Sequence, residues 1–265
     1  MQLHYDLRGQ GSPIVFIHGA AIDHDAMVQW FEPLMADQPH TRLYLDLPGM
    51  GQTPALPPDQ TDSNHVLAAI QETIHAVLGT QPYTIVGYSY GGYLALGLAF
   101  QQPERVQRLF LVCPTLTGVK SERHVAPHRV ITTTPIDVTT NADYFANYQK
   151  VTVVQTPATW QAFQTQVIPG IRRTDLAALH QLHRDHGQHY RLTFETDLKA
   201  TRFTQPITLL SGRHDVTIGY TDHLAFMANQ PNGSLGLLAD AGHNLPIDQY
   251  GMMAAYFQHF LTTFA

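Results

Sequence analysis

The chain has 265 residues, 44% hydrophobic and only 14% charged, so it can bury a large core as one α/β domain carrying an insertion. Its formal net charge of −6 leaves no basic stripe for a nucleic-acid partner. The single cysteine, Cys113, excludes an intrachain disulfide framework and a cysteine-based zinc site.

The first residues carry no basic stretch followed by an apolar run and a small-residue cleavage site. No apolar run reaches the ~18 residues of a membrane span. A soluble, cytoplasmic protein is the expectation. Residues 3–7 (LHYDL) alternate apolar and polar side chains, as a half-buried strand does. Residues 13–19 (PIVFIHG) are a short apolar run ending in glycine, and residues 42–49 (RLYLDLPG) are another, closed by Pro-Gly. A helix is predicted over 62–78. Residues 83–89 (YTIVGYS) form a third apolar run, followed by a helix over 91–101 that Pro103 ends. Residues 108–114 (RLFLVCP) make a fourth. Such near-continuous runs fit strands covered on both faces. Their alternation with helices predicts a mostly parallel sheet with crossover connections.

From residue 115 to 200 the sequence turns rich in Thr, Gln and His and lacks buried-strand runs. Helices are predicted at 141–152, 158–167 and 174–186. A structureless loop of this length does not suit a compact domain. Residues 115–200 therefore read as an inserted helical subdomain between two parts of one core, 1–114 and 201–265. The strand pattern resumes at 206–212 (PITLLSG) and 233–243 (GSLGLLADAGH), and 250–264 is predicted to be a closing amphipathic helix.

Gly87-Tyr88-Ser89-Tyr90-Gly91 is a G-x-S-x-G pattern between a predicted strand and a predicted helix. In that setting the serine sits on a sharp, strained turn that pushes its hydroxyl outward. The alternative is a glycine-rich turn with an incidental serine. A serine nucleophile needs a base within hydrogen-bond reach. Of 16 histidines, His243 lies just after the last predicted strand, at the strand end where sites form in open α/β sheets. The base needs an acid to orient it, and Asp215 follows the 206–212 strand. Asp240 ends its own strand run, and Asp222 and Asp248 read as helix-start or surface carboxylates. His18-Gly19-Ala20 follows an early strand, so the backbone N–H groups of Ala20 and Tyr90 are the expected oxyanion donors, with Ala21 in reserve. His18 reads as structural, bonded to loop backbone. His180, His183, His186 and His189 recur at spacing three, but no carboxylate is well placed with them for a metal site.

With FIHGA (16–20), LDLPGMGQT (45–53), GYSYGG (87–92), SGRHD (211–215) and AGHNLPID (241–248), the chain resembles a capped α/β-hydrolase-fold enzyme. The resemblance implies an eight-stranded, mostly parallel sheet flanked by helices, with an inserted helical cap. It also implies that Asp46 and residues 49–51 shape a loop beside the site. Dehalogenase and epoxide-hydrolase relatives place an aspartate where Ser89 stands, which argues against both activities. The order Ser89, Asp215, His243 is the family's order. The chemistry expected is acyl transfer through Ser89, with no cofactor and no metal.

The charge-poor insertion points to a small, largely uncharged acyl ester as substrate. Tyr88, Tyr144, Phe145, Tyr148, Trp160 and Phe163 are candidates for the pocket wall, set against ordinary packing. A carbon–carbon bond hydrolase of the meta-cleavage (2-hydroxy-6-oxo-dienoate) type is the alternative. It needs a cation for the substrate carboxylate, for which Arg172, Arg173 and Arg184 are candidates. An aminopeptidase-like hydrolase would want an acidic cluster in the cap. A non-enzymatic ligand-binding module on the same fold is the reading from another class. The expected partner is a small molecule, without nucleic acid or membrane; oligomeric state has no sequence signal.

Overall fold

A computed structural model describes residues 1–35 and 38–262. In chain order come β1 (Tyr5–Arg8), β2 (Ser12–Ile17), α1 (His24–Phe31), β3 (His40–Leu45), α2 (Ser63–Leu78), β4 (Tyr83–Tyr88), α3 (Tyr90–Gln101) and β5 (Val106–Val112). The inserted region then holds β6 (Thr132–Thr133), α4 (Phe145–Val151), β7 (Val154–Gln155), α5 (Pro157–Gln166), α6 (Ile168–Arg172), α7 (Leu176–Leu182), α8 (Arg184–Gly187) and α9 (Glu195–Ala200). The core resumes with β8 (Ile207–Gly212), α10 (Tyr220–Met227), β9 (Gly233–Leu238), α11 (Leu245–Asp248) and α12 (Tyr250–Thr262).

Seven strands form the main sheet in the order β1-β3-β2-β4-β5-β8-β9. Only the β1–β3 pair is antiparallel. The count departs from the eight strands implied by resemblance. Here β1 is the one antiparallel strand, and it turns directly into β2 through Gly9 and Gly11, both at positive φ. The strand patterns in the sequence themselves number seven when the alternating residues 3–7 are included.

Alternation along the strands explains the layers. Val15, Ile17, Leu43, Leu45, Ile85 and Leu109 pack in one cluster, with α2 and α3. Ile14, Phe16, Tyr44, Val86, Phe110 and Leu210 point the other way, into a second cluster with α1 and α12. Both faces are covered, which is why these strands read as unbroken apolar runs.

Five helices among the described residues, α1, α6, α9, α10 and α11, fall outside the predicted spans, and two of them reach eight residues. In α1, Ala26, Met27, Trp30 and Phe31 are buried at helical spacing after the extended N-cap Asp23. The other is α10. The predicted helix over 174–186 breaks: α7 stops at Leu182, and Asp185 and His186 take left-handed conformations, φ 53° and 56°. His180, His183, His186 and His189 therefore do not share one helical face. The closing helix reaches Thr262; the predicted residues 263 and 264 lie outside the described residues.

The inserted region is stitched to the core on two sides. Trp30 Nε1 donates to Gln166 Oε1 at 2.9 Å, and Arg173 Nε donates to Asp23 Oδ2 at 2.6 Å. On the other side, Asn244 N–H donates to the Val151 carbonyl at 3.1 Å. No helix among the described residues is long and apolar enough to cross a membrane.

Candidate active site

Ser89 ends β4 and begins α3, at φ 53° and ψ −115°. A non-glycine residue in that region is strained, and such strain clusters at functional sites. The turn is as tight as it is because Gly91 lacks a side chain: a Cβ there would run into the carbonyl oxygens of Ile17 and His18. β2 and the start of α3 can therefore touch. A Cβ on Gly19 would lie 3.1 Å from Ser89 Cβ, so the loop after β2 passes directly beside the serine.

Ser89 and His243 keep 7% and 8% of their surface exposed, enough to meet a small molecule, while Asp215 is fully buried. Ser89 Oγ lies 3.0 Å from His243 Nε2. His243 Nδ1 donates to Asp215 Oδ2 at 2.8 Å, which leaves Nε2 free to accept the serine proton. The other Asp215 oxygen accepts the N–H groups of Thr217 and Ile218 at 2.8 and 2.9 Å. Burial pushes the Asp215 carboxyl up. The adjoining His243 and the two N–H donors outweigh it and hold the group below the usual carboxylate range. The three residues expected from sequence thus form one hydrogen-bonded chain.

The two expected oxyanion donors also flank the serine. Neither the Ala20 nor the Tyr90 N–H has an acceptor among the described residues. Ala21 follows at φ 63°. His18 Nδ1 donates to the Gly19 carbonyl at 2.7 Å, and Nε2 accepts the Leu47 N–H at 2.9 Å. Burial lowers its pKa and keeps it neutral, which suits the tautomer those two bonds require. Asp46 braces the same region, accepting from the His4 and His24 rings and from the His24 and Gln52 N–H groups. Burial would raise the Asp46 carboxyl, but those donors hold it well below its ordinary range.

Tyr88 does two things. Its ring forms an edge contact with Trp30, and its hydroxyl donates to the His243 carbonyl at 3.1 Å. Asp248, read from sequence as a helix-start or surface carboxylate, is instead buried and ends α11. Its Oδ1 accepts the N–H groups of Val153 and Val154 at 3.0 and 2.9 Å, and its Oδ2 accepts that of Gly242 at 2.8 Å. One carboxylate thus ties the inserted region to the residue preceding His243. No local pattern announces this, because all three donors are backbone groups. Asp222 does stand in the first turn of α10, paired with His124.

A cleft of about 270 Å³ opens over Ser89 and His243. Ala20, Ala21, Tyr88 and Asn244 join them on the core side, and Phe163, Val167 and Ile171 roof it from the inserted region. Tyr144, Phe145, Tyr148 and Trp160 are not among its lining residues. Tyr148 and Trp160 are buried in the packing of the inserted region, with Phe145 and Tyr144 against them. None of the three candidate arginines lines it either. Arg172 bonds Asn141 and lies over Tyr144, Arg173 pairs with Asp23 and Asp25, and Arg184 pairs with Asp185. The cations that do line the cleft are Lys120 and Lys150, both exposed, which no sequence signal singled out.

The model of the α/β-hydrolase fold family matches residues 12–250. The chain belongs to the α/β-hydrolase fold family. A solved structure of an α/β superfamily hydrolase from Oenococcus oeni PSU-1 superposes with a TM-score of 0.92 at 34% identity, covering 97% of this chain and 94% of the other. Among characterised hydrolases of the fold, a pimeloyl-(acyl-carrier protein) methyl ester esterase from Nitrosospira multiformis is 28% identical over 248 residues, 92% of each chain. A 2-hydroxymuconate semialdehyde hydrolase from Pseudomonas putida is 27% identical over 267 residues, 96% of this chain and 88% of the other. This α/β-hydrolase accordingly has similarity both to an esterase and to a hydrolase of the carbon–carbon alternative.

Proposed function

We propose that this α/β-hydrolase is a carboxylic-ester hydrolase acting on small acyl esters, with Ser89 as nucleophile, His243 as base and Asp215 as its orienting acid. The observation that carries the reading is the chain Ser89 Oγ to His243 Nε2 to Asp215, beneath an open cleft. His243 takes the Ser89 proton as the oxygen attacks the ester carbonyl. The N–H groups of Ala20 and Tyr90 hold the oxyanion. His243 then protonates the departing alcohol, and the acyl group remains on Ser89. Water, giving its proton to His243, releases the acid and restores the serine.

Residues 115–200 act in this reading as a cap over the core of 1–114 and 201–265. A cleft of about 270 Å³ falls just below the ~300–1,000 Å³ typical of ligand pockets, which favours a short acyl chain. The similarity to an esterase over 92% of the chain supports the same class. None of the three candidate arginines lines the cleft, so the cation that the carbon–carbon hydrolase alternative needs would have to be Lys120 or Lys150, and a ring-fission dienoate assayed beside the esters tests it. An aminopeptidase-like reading has no support, because no Asp or Glu lines the cleft among the described residues.

The test is hydrolysis of short-chain aryl esters beside a Ser89→Ala control, with fluorophosphonate labelling in parallel. Turnover and labelling confined to the wild-type protein are expected. A folded wild-type protein that neither turns over esters nor labels at Ser89 would favour a ligand-binding module.

A further inference from the structure

The expectation of a largely uncharged substrate rested on the charge-poor insertion, and the lining of the cleft points elsewhere. The chain has three lysines, Lys120, Lys150 and Lys199. Two of them line the one cleft that contains Ser89. They arrive from separate segments: Lys120 from a short 3₁₀ turn beyond β5, Lys150 from the last turn of α4. In a protein with 21 acidic against 15 basic side chains, carboxylates to neutralise them are plentiful. About half of the other cations find such partners, among them Arg42 with Glu32, Arg173 with Asp23 and Asp25, Arg191 with Glu122, and Lys199 with Glu195. Lys120 and Lys150 have no ion-pair partner among the described residues. The rest of the lining is mostly apolar, with Ile22, Val151, Phe163, Val167, Ile171 and Val216, and Asn147, Thr217 and Asn244 add neutral polar groups.

A mostly apolar cleft that holds a nucleophile and is lined by two exposed lysines without an ion-pair partner among the described residues matches an amphiphilic acid derivative. We propose that Lys120 and Lys150 form an anion-recognition pair, and that the preferred substrate is an ester carrying a negatively charged group elsewhere in the same molecule. The proposal rests on the ester-hydrolase reading and adds the substrate class. The protein is acidic overall, so a local cationic cleft also steers such anions toward Ser89. A carboxylate and a phosphate monoester both satisfy this chemistry, as lysine is a point charge without a planar fork.

The experiment compares three esters: monomethyl glutarate, a short-acyl glycerol phosphate, and methyl hexanoate as the uncharged counterpart. The kcat/KM of each charged ester is divided by that of methyl hexanoate. We expect at least one ratio to fall by roughly tenfold in the K120Q/K150Q double variant, the order expected when charge-assisted contacts are lost. The ratio recovers in K120R/K150R and declines as salt screens the pair. Whichever charged ester responds more identifies the anionic group. A ratio for both charged esters that is the same in wild type and K120Q/K150Q overturns the pair. Binding of the same charged esters to Ser89→Ala protein, measured by calorimetry with and without the lysine changes, separates the two claims. Lysine-dependent binding without wild-type turnover keeps the anion pair and sinks ester hydrolysis. Lysine-independent binding sinks the pair whatever the turnover.

Discussion

Replacing Asp248 with asparagine tests how a buried carboxylate is tolerated beside the reacting groups. Burial pushes its carboxyl up to about 7, against the pull of the Val154, Gly242 and Val153 N–H donors, and the nearby Asp215 adds to the rise. In an unfolded chain the same group titrates near ~3.9. The folded state therefore holds a proton that the unfolded state releases between about pH 4 and 7. A folded pKa above the unfolded one contributes stability that is fully present at low pH and lost as pH rises through about 7. A gap of about 3 pKa units corresponds to about 4 kcal/mol in all, of which about 3 kcal/mol disappears between pH 5 and 8. The Asp248→Asn side chain has nearly the same shape and cannot titrate. Urea unfolding of both proteins from pH 5 to 8 should show the wild type losing about 3 kcal/mol relative to the variant over that range. A stability difference that stays flat with pH, or slopes the other way, would refute the argument. It would mean that three N–H donors outweigh burial and keep the group ionised.

Other outcomes follow from the same geometry. Asp215→Asn presents an amide N–H to His243 Nδ1 and selects the wrong tautomer, so kcat should drop by roughly 10⁴; a loss under tenfold in steady-state assays would remove Asp215 from its role. Tyr88→Phe keeps the ring against Trp30 but deletes the donor to the His243 carbonyl. About 1 kcal/mol of stability and a several-fold loss in kcat are expected, read by urea unfolding and ester turnover. Trp160→Ala empties part of the packing of the inserted region and removes the ring stacked on Phe163, a residue of the cleft wall. It should cost about 3–5 kcal/mol in unfolding measurements, with any loss of activity tracking the unfolded fraction. A large KM change in fully folded Trp160→Ala protein would refute a purely structural role and show that the indole sets the position of Phe163 in the cleft wall.

Most of the core could be read from local patterns because each signal is local. Apolar runs at 13–19, 83–89 and 108–114 needed both faces covered, and they are. Asp62 at the N-cap and Pro103 after the helix marked real boundaries for α2 and α3. The break after Leu182 was not visible, since Asp185 and His186 adopt left-handed conformations that ordinary side chains rarely take. The missed α1 did carry a signal, an Asp followed by apolar residues at helical spacing.

By itself, the sequence picked out the proposed reacting groups. A serine between glycines at a strand–helix junction, an acid and a histidine after later strands, and a His-Gly loop can meet only at the strand ends of such a sheet. Tertiary structure alone decided what surrounds them. Lining depends on which faces of the short inserted helices turn inward, and aromatic content cannot say so. Trp160 and Tyr148 are large enough to fill the interior of the inserted region, so they pack there and leave the wall to Phe163 and aliphatic neighbours. Lys120 and Lys150 stand 30 positions apart in sequence and share one cleft because the chain between them folds back over the serine. Asp248 became an anchor for the same reason: its partners are backbone groups of a segment some 95 residues away, and only folding brings them within reach.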